Sequence, residues 1–221
     1  MCNGESMGLL AGINARRSCR AFKNVPLSPE LLTSVFEYAT FAPSAKNTQP
    51  WEAYVVTGEK LDALRAQMLD DLKNGRTAQV GKGSADTDAR KKRARELSAE
   101  MTPFIQRQGW EAGSFVERSV RFFDAPAAVI VCMDEPEGKY HALDVGMFVQ
   151  TLCLSATGHG LGSCILGYPL IVEPAIRDFL QIPESRRIMV CVALGFPDSE
   201  QPMAQFESSR AELEENIHFV R

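Results

Sequence analysis

Two stretches of the chain hold residue types that could do chemistry. The first is RRSCR, Arg16 to Arg20, with three arginines and a hydroxyl in five residues. Arg16, Arg17 and Arg20 offer planar forks, and Ser18 a hydroxyl, which is the donor set that phosphate oxygens prefer. Taken alone, the same cluster also reads as a solvent-facing patch. The second is APSAKNTQPW, Ala42 to Trp51. Small residues, amide side chains and a stiff Pro-Trp end make a polar loop that could hydrogen-bond a heterocycle. Alone, it is also an ordinary helix-to-strand connection.

Other candidates point away from chemistry. GHGLG, Gly158 to Gly162, contains spaced glycines, but a helical pattern precedes them and a strand pattern follows. A dinucleotide fingerprint needs the reverse order, with the helix N-terminus facing the pyrophosphate. These glycines are therefore expected to end a helix. No GxxxxGK[ST] occurs, which removes P-loop chemistry. The cysteines stand at 2, 19, 132, 153, 164 and 191, with no CxxC. They read as reduced thiols, with Cys132, Cys153, Cys164 and Cys191 packed as small hydrophobes. His141, His159 and His218 lack zinc-like spacing, so no metal site is expected. Cys153 and His159 lie in one local segment and do not read as a catalytic pair. No protein nucleophile, triad or other catalytic side chain is assigned.

The elements that must position these residues follow from periodicity. Residues 28–41 read as an amphipathic helix, with Ser28 as N-cap and Pro29 at the first helical position. Residues 51–58 read as a strand and 59–75 as a second helix stopped by Gly75. The stretch 76–90 has a linker's composition, and 91–101 a charged helix with little apolar face. Residues 103–120 are helical in places, with Trp110 and Phe115 exposed or capping something. Residues 125–134 and 188–194 read as buried strands. Between them, 143–156 is a helix apolar on nearly every side, which must be buried all round, as a central helix or one at a subunit interface. Residues 163–170 read as a short strand or loop, 174–182 as a short helix, and 208–220 as a short helix with an extended end. Without strict βαβ alternation, the pattern favours an α+β fold over a doubly wound sheet.

Composition bounds the function. The 221 residues are 45% hydrophobic and 24% charged, enough for one well-packed domain. The formal net charge of −4 argues against duplex nucleic acid as a partner. No run of about 18 apolar residues exists to cross a membrane. No charged n-region followed by an apolar run marks a secretory leader, so a cytoplasmic protein is expected.

In order and at this spacing, the motifs resemble the FMN-dependent nitroreductase family. RRSCRAF (16–22) and APSAKNTQPW (42–51) match its two N-terminal segments. FFDAPAAVIV (122–131), LDVGMFVQTLCLSATGHGLGSC (143–164), ALGFPD (193–198) and SRAELEENIHF (209–219) continue the match. The resemblance implies a three-layer α/β/α sandwich with a mainly antiparallel central sheet, built as an intertwined homodimer. It implies one FMN at each subunit interface, reduced by NADH or NADPH. Arg16, Ser18 and Arg210 would hold the FMN phosphate, with Arg17 beside them. Arg20 would lie near the flavin N1–C2=O edge. Pro43, Ser44 and Asn47 of the other subunit would contact the ring, and Leu166 and Gly167 would lie along its N5 edge. The expected activity is hydride transfer from NAD(P)H to a nitroaromatic, a quinone or a related small acceptor. The alternative is a non-catalytic flavin-binding or flavin-storage protein. The chain would be a single domain over 1–221, with residues 76–120 as a variable lid whose Phe104, Trp110 and Phe115 offer flat surfaces to an aromatic substrate.

Overall fold

A computed structural model describes residues 8–78, 87–111, 113–134 and 139–221. Helix α1 spans Leu9–Ala15, α2 Pro29–Ala39, strand β1 Trp51–Thr57 and α3 Gly58–Lys73. Helix α4 runs over Asp88–Arg107, α5 over Phe115–Val120, and strand β2 over Ala127–Asp134. Helix α6 covers Lys139–Gly158, β3 Gly162–Leu166, α7 Glu173–Leu180 and β4 Arg186–Gly195. Two short helices close the chain, α8 at Pro202–Gln205 and α9 at Leu213–Asn216.

The four strands form one antiparallel sheet in the order β1-β2-β4-β3. Side chains alternate across a strand, so β2 feeds two cores. Ala128, Ile130 and Cys132 face α3, α5 and α7, with Leu61, Met68, Val120 and Ile176 packed over them. Val129, Val131 and Met133 face the other way, onto Val35 and Ala39 of α2 and Phe148 and Leu152 of α6. The result is an α+β, three-layer α/β/α sandwich with an antiparallel centre.

Local signals explain most boundaries. Ser28 Oγ accepts from Leu31 N at 3.2 Å and starts α2. Gly160, at φ 75°, ends α6, and Leu161 N closes back on Ala156 O at 2.8 Å. GHGLG is thus a helix stop. Five cysteines, 19, 132, 153, 164 and 191, are buried free thiols, while Cys2 lies outside the described residues.

Three elements add to the sequence reading. Helix α1 forms in a stretch to which the sequence reading assigns no element, and it buries none of its residues within the chain. The charged helix is nearly twice the expected length, 20 residues continuing through Pro103. Within one chain helix α6 is covered on one side, whereas Leu143 is 60% exposed and Gly146 and Gln150 share an open face that only a subunit interface could cover. Of the expected linker 76–90, residues 79–86 lie outside the described residues. Its start is anchored, with Arg76 paired to Asp71 and Asp178, and Ala78 N donating to Ile171 O.

Candidate functional site

The RRSCR segment leaves α1 in an extended conformation and lies along the outer edge of β3. Ser18 and Ser163 form a single parallel bridge, and Cys19 N donates to Ser163 O at 2.9 Å. Cys19 turns inward and is 4% exposed, its thiol pushed up to about 11 by burial, so it packs as a neutral hydrophobe. Extended alternation leaves Ser18 and Arg20 on the opposite side. The C-terminal segment then brings Phe206, Ser208 and Arg210 to the same place. Arg16, Arg17, Ser18, Arg20 and Arg210 line one hollow of about 120 Å³, with Leu97 of α4 as part of its wall. Residues almost 200 positions apart thus meet.

Four guanidinium groups around so small a space give it a strong positive potential. Arg17 turns partly away, to Glu207 at 3.3 Å and to the carbonyl of Arg16 at 3.1 Å. Among the described residues, no carboxylate pairs with Arg16, Arg20 or Arg210. Among the described residues, Arg210 donates only to its own loop, to Ser208 O at 2.9 Å, Ser208 Oγ at 2.5 Å and Ser209 O at 2.8 Å. The donor set and the size suit a phosphate group. They do not suit a whole drug-sized ligand, which needs a pocket of about 300 Å³ or more.

Arg20 reaches out of this hollow. Its guanidinium stands 6.0 Å from the Phe115 ring and 5.9 Å from the Phe206 ring, between the two. Phe115 meets Tyr168 edge-on at 6.2 Å, and Tyr168 follows Gly167 at the end of β3. An aromatic path therefore leads from the cationic hollow to Leu166 and Gly167. Leu166 is buried, and Gly167 is exposed.

The loop 43–49 sits elsewhere, beside the open face of α6. Pro43 shares a separate hollow with Leu143, Gly146 and Met147. Lys46, Asn47 and Gln49 hold φ of 54°, 58° and 48°, a conformation unfavourable for residues with a Cβ. Ser44 Oγ accepts from Gln49 N at 3.0 Å, and Gln49 Nε2 donates to Asn47 O at 3.1 Å. Asp144, only 2% exposed, accepts from Ala45 N at 3.1 Å. Trp51 stacks on Phe148 at 5.0 Å. Strained backbone held by such anchors is typical of ligand clamps. Within one chain, Pro43, Ser44 and Asn47 do not join the cationic hollow.

Sequence reasoning missed Asp144, Ser208, Phe206 and Leu97. A single acid within the apolar run of α6 was the available signal for Asp144. The aromatics of 103–120 cap the core and the C-terminal segment. Trp110 stacks on Phe123 at 5.8 Å and 7°, and Phe115 meets Phe123 edge-on, both packed on the buried core. Phe104 packs edge-on against Phe206 at 5.2 Å. Their faces are spent on protein contacts, because a Trp or Phe ring left in water forfeits its burial energy. His159 is engaged at both ring nitrogens, with Ser34 Oγ at 2.9 Å and Ser155 O at 2.8 Å.

Residues 13–196 match the profile of the Nitroreductase family. The chain belongs to the nitroreductase family. It is 32% identical over 215 residues to a 4-nitrobenzoate reductase of Pseudomonas putida, covering 95% of this chain and 94% of that one. It is 30% identical over 218 residues to a nitrobenzene nitroreductase of Ectopseudomonas oleovorans, covering 94% and 95%. Its fold superposes with a TM-score of 0.87 on the FMN-dependent nitroreductase NfnB from Mycobacterium smegmatis in complex with NADPH. That comparison covers 95% of this chain and 96% of NfnB at 26% identity. No helix among the described residues is long and apolar enough to cross a membrane.

Proposed function

We propose that this protein is an FMN-dependent NAD(P)H oxidoreductase that reduces a nitroaromatic or quinone acceptor. The observation that carries the reading is the hollow lined by Arg16, Ser18, Arg20 and Arg210, a phosphate-shaped cation site in a nitroreductase-family chain. The relatives named for nitrobenzene and 4-nitrobenzoate give the acceptor class, and NfnB gives the pair of FMN and NADPH.

When bound, FMN supplies the two-electron chemistry, accepting hydride from NAD(P)H and delivering it to the acceptor. The chain's own residues bind and orient. Arg16, Ser18 and Arg210 hold the phosphate, with Arg17 alongside. Arg20 would keep a positive charge near the flavin's N1–C2=O edge, where charge grows on reduction. Leu166 and Gly167 would present backbone to its N5 edge. The lid reading for residues 76–120 is supported by α4, whose Leu97 forms part of the hollow's wall.

The working unit is a homodimer, because one chain holds only part of the site. Loop 43–49, with Pro43, Ser44 and Asn47, serves the ring held by a second copy. Supporting this are the open face of α6 and the exposed Leu9, Leu10 and Ile13 of α1. An apolar groove of about 1100 Å³ beside edge strand β1, with Phe36, Tyr38, Phe41 and Val55 in its lining, also needs covering. The tail carries exposed Ile217, Phe219 and Val220, fitting an intertwined arrangement in which one copy's tail reaches the other. The cytoplasm, which supplies NAD(P)H, is the place for this activity.

The test is an anaerobic spectrum. Purified protein should show flavin absorption that bleaches with NADPH or NADH and returns with a nitrobenzoate or a quinone. Bound flavin that neither nucleotide bleaches would favour the storage protein. Failure to bind FMN would sink both readings.

A further inference from the structure

Helix α4 buries none of its residues, yet it is fastened from Arg93 to its C-terminal end. Arg93 pairs with Glu215 at 2.8 Å. Leu97 lines the cationic hollow with Ser208 and Arg210. Glu100 Oε1 accepts from Ser209 Oγ at 2.6 Å, and Oε2 from Ser209 N at 3.3 Å. Phe104 packs on Phe206, and Gln108, the residue after the helix, meets Gln201 at 2.8 Å and Met203 N at 3.0 Å. Positions 93, 97, 100, 104 and 108 fall on one helical face. Their partners run backwards through 215, 210, 209, 206 and 201, so the helix lies antiparallel on the C-terminal segment. The stripe mixes an arginine, a leucine, a glutamate, a phenylalanine and a glutamine, so hydrophobic periodicity does not reveal it.

We propose that Glu100 is a positioning residue for the phosphate hollow, setting the Arg210 guanidinium through Ser209. The relay is direct. Arg210 folds over its own backbone, donating to the carbonyls of Ser208 and Ser209. Wherever the Ser209 peptide goes, the guanidinium follows. Glu100 fixes that peptide at two points, its N–H and its side chain. The two hydrogen bonds from Ser209 also hold the Glu100 carboxyl below its ordinary range, so the acceptor stays ionised. Helix α4 thereby acts as the outer wall of the cofactor site. This rests on the reading that the hollow takes the FMN phosphate.

The test compares FMN with riboflavin, which has the ring and ribityl chain but no phosphate. Full-length wild type, E100A, E100Q, R210A and the double variant E100A/R210A are titrated with both flavins. E100A is expected to weaken FMN binding by about tenfold, the scale of one charge-assisted contact, while riboflavin binding changes by less than about twofold. E100Q keeps an acceptor for Ser209 and should recover most of the loss. In the R210A background E100A should add little, because the two residues act as one unit. Equal losses for FMN and riboflavin, or additive losses in the double variant, would overturn the proposal. A wild type that binds riboflavin as well as FMN would instead overturn the phosphate reading beneath it.

Discussion

Cys19 and Gly162 are so close that no side chain fits between them. A Cβ on Gly162 would lie 2.8 Å from Cys19 Cβ and 3.0 Å from Pro197 Cγ. That approach lets RRSCR lie on the edge of β3, and so fixes where Ser18 and Arg20 emerge. Gly162→Ala should push the segment off the strand and destabilise the fold by about 1–3 kcal/mol, the usual cost of overpacking. FMN affinity should fall with it. Gly8→Ala, which meets no heavy atom within 4 Å, should do neither. Urea unfolding and FMN titration of the two variants check this.

The arginines of the hollow should not be equivalent. Arg210 has no carboxylate partner among the described residues, whereas Arg17 is paired with Glu207. A charged contact to phosphate contributes about 1.5–3 kcal/mol. Arg210→Ala should therefore weaken FMN binding by about tenfold or more. Arg17→Ala should have a smaller effect, since its guanidinium is already engaged. Equilibrium titrations at low and high salt would show the difference, and equal losses would contradict it.

How much of this was legible follows from how each residue earns its place. Helix α2 was readable because Ser28, Pro29 and the stripe from Leu31 to Ala39 agree. Strands β2 and β4 were readable because a strand buried on both faces is an unbroken apolar run. The phosphate residues were legible as a resemblance, while their meeting was not, since Arg16 and Arg210 come from opposite ends of the chain. Helix α1 was illegible because, among the described residues, it lies on α6 without burying a side chain, so no apolar stripe marks it. The full α4 was illegible because its docking face is chemically mixed. What Trp110 and Phe115 cap was not legible, because their partner, Phe123, sits in a left-handed turn at φ 51°. That turn is held by Arg65, which donates to the carbonyls of Arg121 and Ala125. No local pattern announces a turn of that kind.

The fastening of α4 should be acid-sensitive. Hydrogen bonds from Ser209 lower the Glu100 pKa, and the hydrogen bond from Arg93 lowers that of Glu215, both from an ordinary 4.5. A carboxyl with a depressed folded pKa contributes stability above its unfolded value and loses it as pH falls through the folded one. The docking of α4 should therefore hold from neutrality down to about 4.5 and loosen below that. Hydrogen exchange of the amides in 93–107 reports it directly. Loosening already near neutral pH would contradict the assignment, as would unchanged acid sensitivity in an E100Q/E215Q variant.

The open face of α6 should be closed by a second copy. Leu143 is largely exposed and so contributes little to the fold of one chain, unlike Phe148 on the buried face. Leu143→Glu should then leave a folded monomer. Placed in a dimer interface, the same carboxylate would be desolvated without a partner, which is costly enough to separate the subunits. Because loop 43–49 belongs to the opposite copy's flavin in this reading, the monomer should also lose FMN. Met147→Glu, which is half buried, should act the same way with some loss of fold. Phe148→Glu should unfold the chain outright. Sedimentation velocity, flavin absorption and circular dichroism on the three variants separate these outcomes. A Leu143→Glu protein that stays dimeric, or a monomer that retains FMN at full affinity, would remove α6 from the interface and return the whole site to one chain.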